Sequence, residues 1–137
     1  MIHIIIADDH EIFREGVREL ISSSGKYDII AEASNGVKLM ELLAEKLPDI
    51  VLLDIFMPLM NGYEAAEIIK MKYPSVKIIV LSIFGDEGTY NKMLEAGVKG
   101  YVLKESSSEE LEIALDEVSE NRSYFSEELM RRVNGIR

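Results

Sequence analysis

The chain has 137 residues, 47% of them hydrophobic and none of them cysteine. That is one domain's worth of sequence with enough apolar material for a single core, and it excludes disulfide frameworks and thiolate metal sites. The net charge of −10 argues against direct binding of nucleic acid, because non-specific affinity comes from basic groups on phosphate.

Short β-branched runs alternate with helical patterns from end to end. "HIIIA" (3–7) reads as the first strand, with His3 expected as a satisfied core residue. Residues 11–22 follow with Ile12, Phe13, Val17, Leu20 and Ile21 on one helical face. "YDIIAEA" (27–33) is the second strand, and 36–46 a helix carrying Val37, Met40, Leu43 and Ala44. "IVLLD" (50–54) reads as a buried third strand, followed by a helix over 63–73 with Ala65, Ile68 and Ile69 inward. "KIIVLS" (77–82) and "GYVL" (100–103) are strands four and five, separated by a helix over 87–96 that stops at Gly97. A fifth helix starts at the serine cluster 106–108, where Ser106 with Glu109 and Ser107 with Glu110 each fit a capping box. Residues 105–120 hold seven acids and no base, a solvated helix face or a surface for a basic partner. "SEELMRRVNGIR" (126–137) reads as a short helix capped by Ser126.

This is (βα)5, and connections this short require a parallel sheet with helices on both faces. The expected fold is α/β, a doubly wound five-stranded sheet of order 2-1-3-4-5, flavodoxin-like. No apolar run approaches the ~20 residues that span a bilayer. "MIHIII" lacks the charged start and small-residue cleavage site of a signal peptide, so the expected location is cytoplasmic, away from membranes.

In open α/β sheets, sites form beyond the carboxyl ends of the strands. Those ends supply Asp8 and Asp9 after strand one, Asp54 at strand three, Ser82 at strand four and Lys104 after strand five. Each has a dull explanation alone; their convergence at one sheet edge shifts the balance. Crowded carboxylates repel and raise one another's proton affinity, a conflict that a hard divalent cation such as Mg²⁺ resolves. A carboxylate beside Mg²⁺ can attack a phosphoryl group and form an aspartyl phosphate, with Lys104 supplying positive charge and Ser82 a hydroxyl donor. Residue types alone leave His10 as an incidental neighbour of the acids.

"ADDHEIFREGVREL", "DIFMPLMNG", "VLS" and "GYVLKESSSEEL" together resemble the receiver domain of bacterial two-component response regulators, in the LuxR/NarL-type branch. The resemblance covers 1–125 as the receiver and leaves 126–137 as a C-terminal helix or linker towards an output domain. It implies that Asp54 is the phosphoacceptor, phosphorylated by a sensor histidine kinase. It implies Mg²⁺ held by Asp9, Asp54 and the backbone carbonyl of Phe56, with Asp8 acting through water. Ser82 becomes the switch hydroxyl, Lys104 the ammonium that pairs with the phosphoryl group, and Tyr101 the aromatic switch whose ring turns inward. The implied output is transcription regulation through a helix-turn-helix domain, with any DNA contact made by that domain. A homodimer on phosphorylation is a further implied partner, and a stand-alone receiver acting through protein–protein contacts is the alternative. The likeness of "SEELMRRVNGIR" to the connector of two-domain members favours an excised receiver.

Three departures from the family pattern stand out: Glu105 follows the lysine where many receivers have proline, Ser82 replaces threonine, and the sequence stops at Arg137 with no DNA-binding domain. By the same resemblance, Phe56 and Phe84 occupy the two entrance positions. A magnesium-dependent phosphatase needs a second aspartate at position 56, so multiple turnover on external substrates is not expected. A flavodoxin-like cofactor binder needs amide-rich Ser, Thr or Gly after strand one, where "ADDHE" would repel a phosphate.

Overall fold

The computed structural model describes residues 1–134. In chain order the elements are β1 (Ile2–Ala7), α1 (Glu11–Ser22), β2 (Tyr27–Ala33), α2 (Gly36–Glu45), β3 (Ile50–Leu53) and α3 (Gly62–Lys72). They continue with β4 (Lys77–Ser82), α4 (Glu87–Glu95), β5 (Gly100–Leu103), α5 (Ser108–Ser119), β6 (Tyr124–Phe125) and α6 (Glu127–Val133). The strands form one parallel sheet of order β2-β1-β3-β4-β5-β6.

Side chains alternate across each strand, so the sheet carries a core on each face. On one face, Ile5, Val51, Leu53 and Val80 pack with Leu39 and Leu43 of α2, Ala65 and Ile69 of α3, and Met93 of α4. On the other, Ile4, Ile6, Leu52 and Leu81 pack with Val17 and Ile21 of α1 and Leu111 and Leu115 of α5. All four residues of β3 are fully buried, as the continuous apolar run requires. Each such Leu or Ile contributes roughly 1.5–3 kcal/mol relative to exposure.

Several sequence expectations need correction. Among the described residues the sheet has six strands rather than five: α5 is a crossover that returns the chain beside β5, pairing Gly100 with Tyr124 and Tyr101 with Phe125. A two-residue strand has no period to read. His3 is exposed at the entrance of β1 instead of lying in the core. Ile12 is exposed on the outer side of α1, and Val37 is exposed at the start of α2. Helix α5 begins at Ser108, and Ser107 is its cap, accepting from Glu110 N at 3.3 Å. Helix α4 stops as expected, with Gly97 at φ 85°. The expected C-terminal helix is present as α6 up to Val133; residues 135–137 lie outside the described part of the chain.

Candidate functional site

Strand registry brings the acids together. Ala7 of β1 is level with Leu53 of β3, so the next residue of each strand, Asp8 and Asp54, leaves the sheet side by side. The Asp54 amide donates to the Ala7 carbonyl at 2.9 Å, continuing the ladder one step beyond the strand. In the same way Ser82 is level with Leu103, and the Lys104 amide donates to the Ser82 carbonyl at 2.8 Å. The order reverses between β1 and β3, which is where a doubly wound sheet opens its crevice.

Asp8 and Asp54 are 1% and 5% exposed, a costly placement for carboxylates. Lys104 Nζ stands 2.7 Å from Asp8 Oδ2 and 3.4 Å from Asp54 Oδ2. The shorter contact is an ion pair without hydrogen-bond alignment, since Asp8 Oδ2 has no hydrogen-bond partner among the described residues. Asp54 Oδ1 accepts from the Ile55 amide at 2.9 Å, which fixes its carboxylate. Burial pushes the Asp54 carboxyl up to about 6, and the charge of Asp8 acts in the same direction against the opposing effect of Lys104. The end of the Lys104 side chain also lies over the Phe13 ring, Nζ 4.5 Å from its centroid.

Ligand atoms of Asp8, Asp9, His10 and Asp54 all lie within 4.8 Å of one another. This carboxylate set, with one buried oxygen lacking a hydrogen bond, fits a hard divalent cation that keeps part of its water shell. His10, read from sequence as an incidental neighbour of the acids, lies in the same cluster. Its Nδ1 lies 3.2 Å from both Asp8 Oδ1 and Asp9 Oδ1. Adjacency to the acid pair in sequence is the signal that points to it. Arg14 carries no such signal, yet it donates to the Asp8 carbonyl at 2.5 Å while its Nε donates to Glu32 at 2.9 Å. It is one helical turn past His10, close enough to hold the acid-bearing loop from behind.

The turn after Asp54 is built on close backbone approach. Gly62 N donates to the Ile55 carbonyl at 2.6 Å. A Cβ at Gly62 would overlap the Asp54 carbonyl oxygen and lie 2.8 Å from Ile55 Cα. Only glycine fits there. Leu59 takes φ 70° in the tight turn closed by Met60 N on the Pro58 carbonyl. Asn61 then starts α3 with a capping box to Glu64.

Ser82 is buried, and its Oγ accepts from the Phe84 amide at 3.0 Å. The Tyr101 ring is fully buried, already turned inward, and its hydroxyl donates to the Phe84 carbonyl at 2.5 Å. Phe56 and Phe84 are both exposed, their rings edge to face with centroids 4.8 Å apart.

The family model described as "Response regulator receiver domain" matches residues 4–116. The chain belongs to the response regulator receiver domain family. Transcriptional regulatory protein DegU of Brevibacillus brevis is 38% identical over 90% of this chain and 52% of its own length. Nitrate/nitrite response regulator protein NarL of Escherichia coli is 37% identical over 92% and 58% respectively. The chain thus spans little more than half the length of these curated relatives. A LuxR-family two-component response regulator from Aurantimonas sp. SI85-9A1 superposes with a TM-score of 0.92 at 31% identity, covering 98% of this receiver and 96% of that chain. The receiver is therefore a signalling module of the LuxR/NarL type, related to transcriptional regulators, and its six-stranded sheet carries the acidic pocket at the expected edge.

Proposed function

We propose that this receiver accepts a phosphoryl group on Asp54 from a phosphohistidine of a sensor kinase. The observation that supports this most is the placement of Asp54: a buried carboxylate, fixed by the Ile55 amide, with an ammonium 3.4 Å away and two further acids beside it. A carboxylate oxygen of Asp54 attacks phosphorus, the P–N bond breaks, and the histidine leaves as neutral imidazole once protonated. Asp9, Asp54 and the Phe56 carbonyl are the candidate holders of Mg²⁺, with Asp8 acting through water. Bound there, the cation would offset the negative charge gathered by the carboxylates and the transferring group. Lys104 exchanges its contact with Asp8 for a phosphoryl oxygen, and Ser82 turns its hydroxyl to another.

The Phe56 side chain is exposed beside the pocket and carries no acid to protonate a leaving group, so the chemistry stops at one phosphoryl per chain. The output is control of transcription, the role named for the relatives, through a DNA-binding region beyond this receiver. A second copy of the phosphorylated receiver and a cytoplasmic kinase complete the proposed setting. The test is direct. With a small acyl phosphate donor, wild type should gain one phosphoryl group in Mg²⁺ and none in chelator, and Asp54→Asn should gain none. Catalytic release of phosphate from a generic phosphate ester would contradict the reading.

A further inference from the structure

Helix α6 lies across the face of the sheet formed by α4 and β5, and both pocket loops reach it. Leu129 is fully buried in the core cluster that includes Leu103 and Tyr101. The entry to α6 is tied to the switch strand itself: Ser126 N donates to the Tyr101 carbonyl at 3.0 Å, and the buried Ser126 hydroxyl caps Leu129 N at 3.1 Å. Phe125 packs edge to face on Tyr90 of α4, centroids 5.7 Å apart. At the far end, Arg132 Nη2 donates to Glu105 at 2.8 Å, the residue that follows Lys104. The same guanidinium covers Gly85, in the loop that follows Ser82. A Cβ at Gly85 would lie 3.2 Å from Arg132 Nη1, 3.4 Å from Leu129 Cδ1 and 3.0 Å from Leu103 Cδ2.

The two loops that touch Arg132 are those that carry the pocket's hydroxyl and its ammonium. Ser82 Oγ now holds the Phe84 amide, and the Phe84 carbonyl holds the Tyr101 hydroxyl. As Ser82 turns its hydroxyl towards a phosphoryl group, its bond from the Phe84 amide is reoriented, and the segment through Gly85 shifts beneath α6. For Lys104 to leave Asp8, Glu105 shifts with it. We propose that α6 is a strap seated on the α4–β5 face in the unphosphorylated protein, held by Leu129 and read by Arg132, and that occupancy of the pocket unseats it. The inference rests on the phosphoacceptor reading of Asp54 and adds the element that carries the change out of the pocket. Unseating would expose the apolar side of α6 and the face beneath it together, at the point where the chain leaves the receiver.

Linkage makes this testable in both directions, because a ligand that unseats the strap must bind more tightly once the strap is already loose. The probe is beryllofluoride with Mg²⁺, a phosphoryl mimic. Amides of residues 129–134 should exchange with deuterium about fivefold faster or more when the probe is bound to wild type, and should not change in Asp54→Asn. Arg132→Ala, a surface change that leaves the core intact, should bind the probe roughly two- to threefold more tightly; Leu129→Ala should bind it about fivefold more tightly or better. Equal or stronger protection of α6 with the probe bound, or unchanged affinity in both single variants, overturns the strap while leaving the phosphoacceptor intact. No binding of the probe to wild type removes the phosphoacceptor reading, and the strap with it.

Discussion

Gly62 lies so close to the backbone of Asp54 that a single added methyl group would overlap the Asp54 carbonyl oxygen. The glycine that closes the loop after the third strand is thus a spacer that lets the loop fold back on the Asp54 backbone. Gly62→Ala is expected to lower stability by about 2–3 kcal/mol, since overpacked backbone has no side chain that can yield. Gly16, inside α1, is the control: among the described residues nothing lies within 4 Å of the place its methyl group would take. There alanine should raise stability by about 0.5–1 kcal/mol through helix propensity alone. Urea unfolding of the two variants would separate these effects, and similar losses at both positions would refute the close approach as the cause.

Asp54 makes stability depend on pH in the absence of metal. Its carboxyl is raised to about 6 in the folded protein from an ordinary value of 3.8. Below both values it is protonated whether folded or not, and it contributes nothing. Between them only the unfolded chain ionises, so stability falls as pH rises; above about 6 the full cost is present. Asp54→Asn should therefore match wild type near pH ~3 in chelator and exceed it by about 1–3 kcal/mol at pH ~7 and above. A variant less stable than wild type at neutral pH would contradict the assigned burial cost.

The edge-to-face rings of Phe56 and Phe84 flank the pocket entrance and offer no group to align a water. Hydrolysis of an acyl phosphate needs a water held behind phosphorus, so the phosphorylated receiver should be long-lived. Replacing Phe56 with Asn and Phe84 with Glu should speed phosphate loss about fivefold or more. The measurement is decay in Mg²⁺ after the donor is removed. Equal lifetimes would show that the two rings do not set it.

The parallel sheet, its order through five strands and the convergence of Asp8, Asp9, Asp54, Ser82 and Lys104 are legible in the sequence because they depend on period and on strand ends. Those signals are local, and the doubly wound topology turns them into neighbours in space. What escapes depends on long-range packing. Strand β6 is two residues long and exists because the Tyr101 backbone offers an edge to pair with. The burial of Leu129 cannot be read from a seven-residue helix that looks like a polar connector. The place of His10 is signalled by its adjacency to the acid pair, but a histidine beside acids has no fixed direction until α1 starts. Arg14 is hidden because its partner, the Asp8 carbonyl, belongs to the backbone. The resemblance implies that Tyr101 turns inward, and in the structure its ring is inward, with its hydroxyl donating to the Phe84 carbonyl.

Whether Asp54 is the phosphoacceptor can be tested at the level of the bond by reductive trapping. After phosphorylation with an acyl phosphate donor in Mg²⁺, borohydride converts an aspartyl phosphate to homoserine, which peptide mass spectrometry then places in the chain. Homoserine is expected at position 54 and at no other acid, with none in chelator. Homoserine at Asp8 or Asp9, or a phosphoryl group that resists borohydride and persists in Asp54→Asn, would contradict that role.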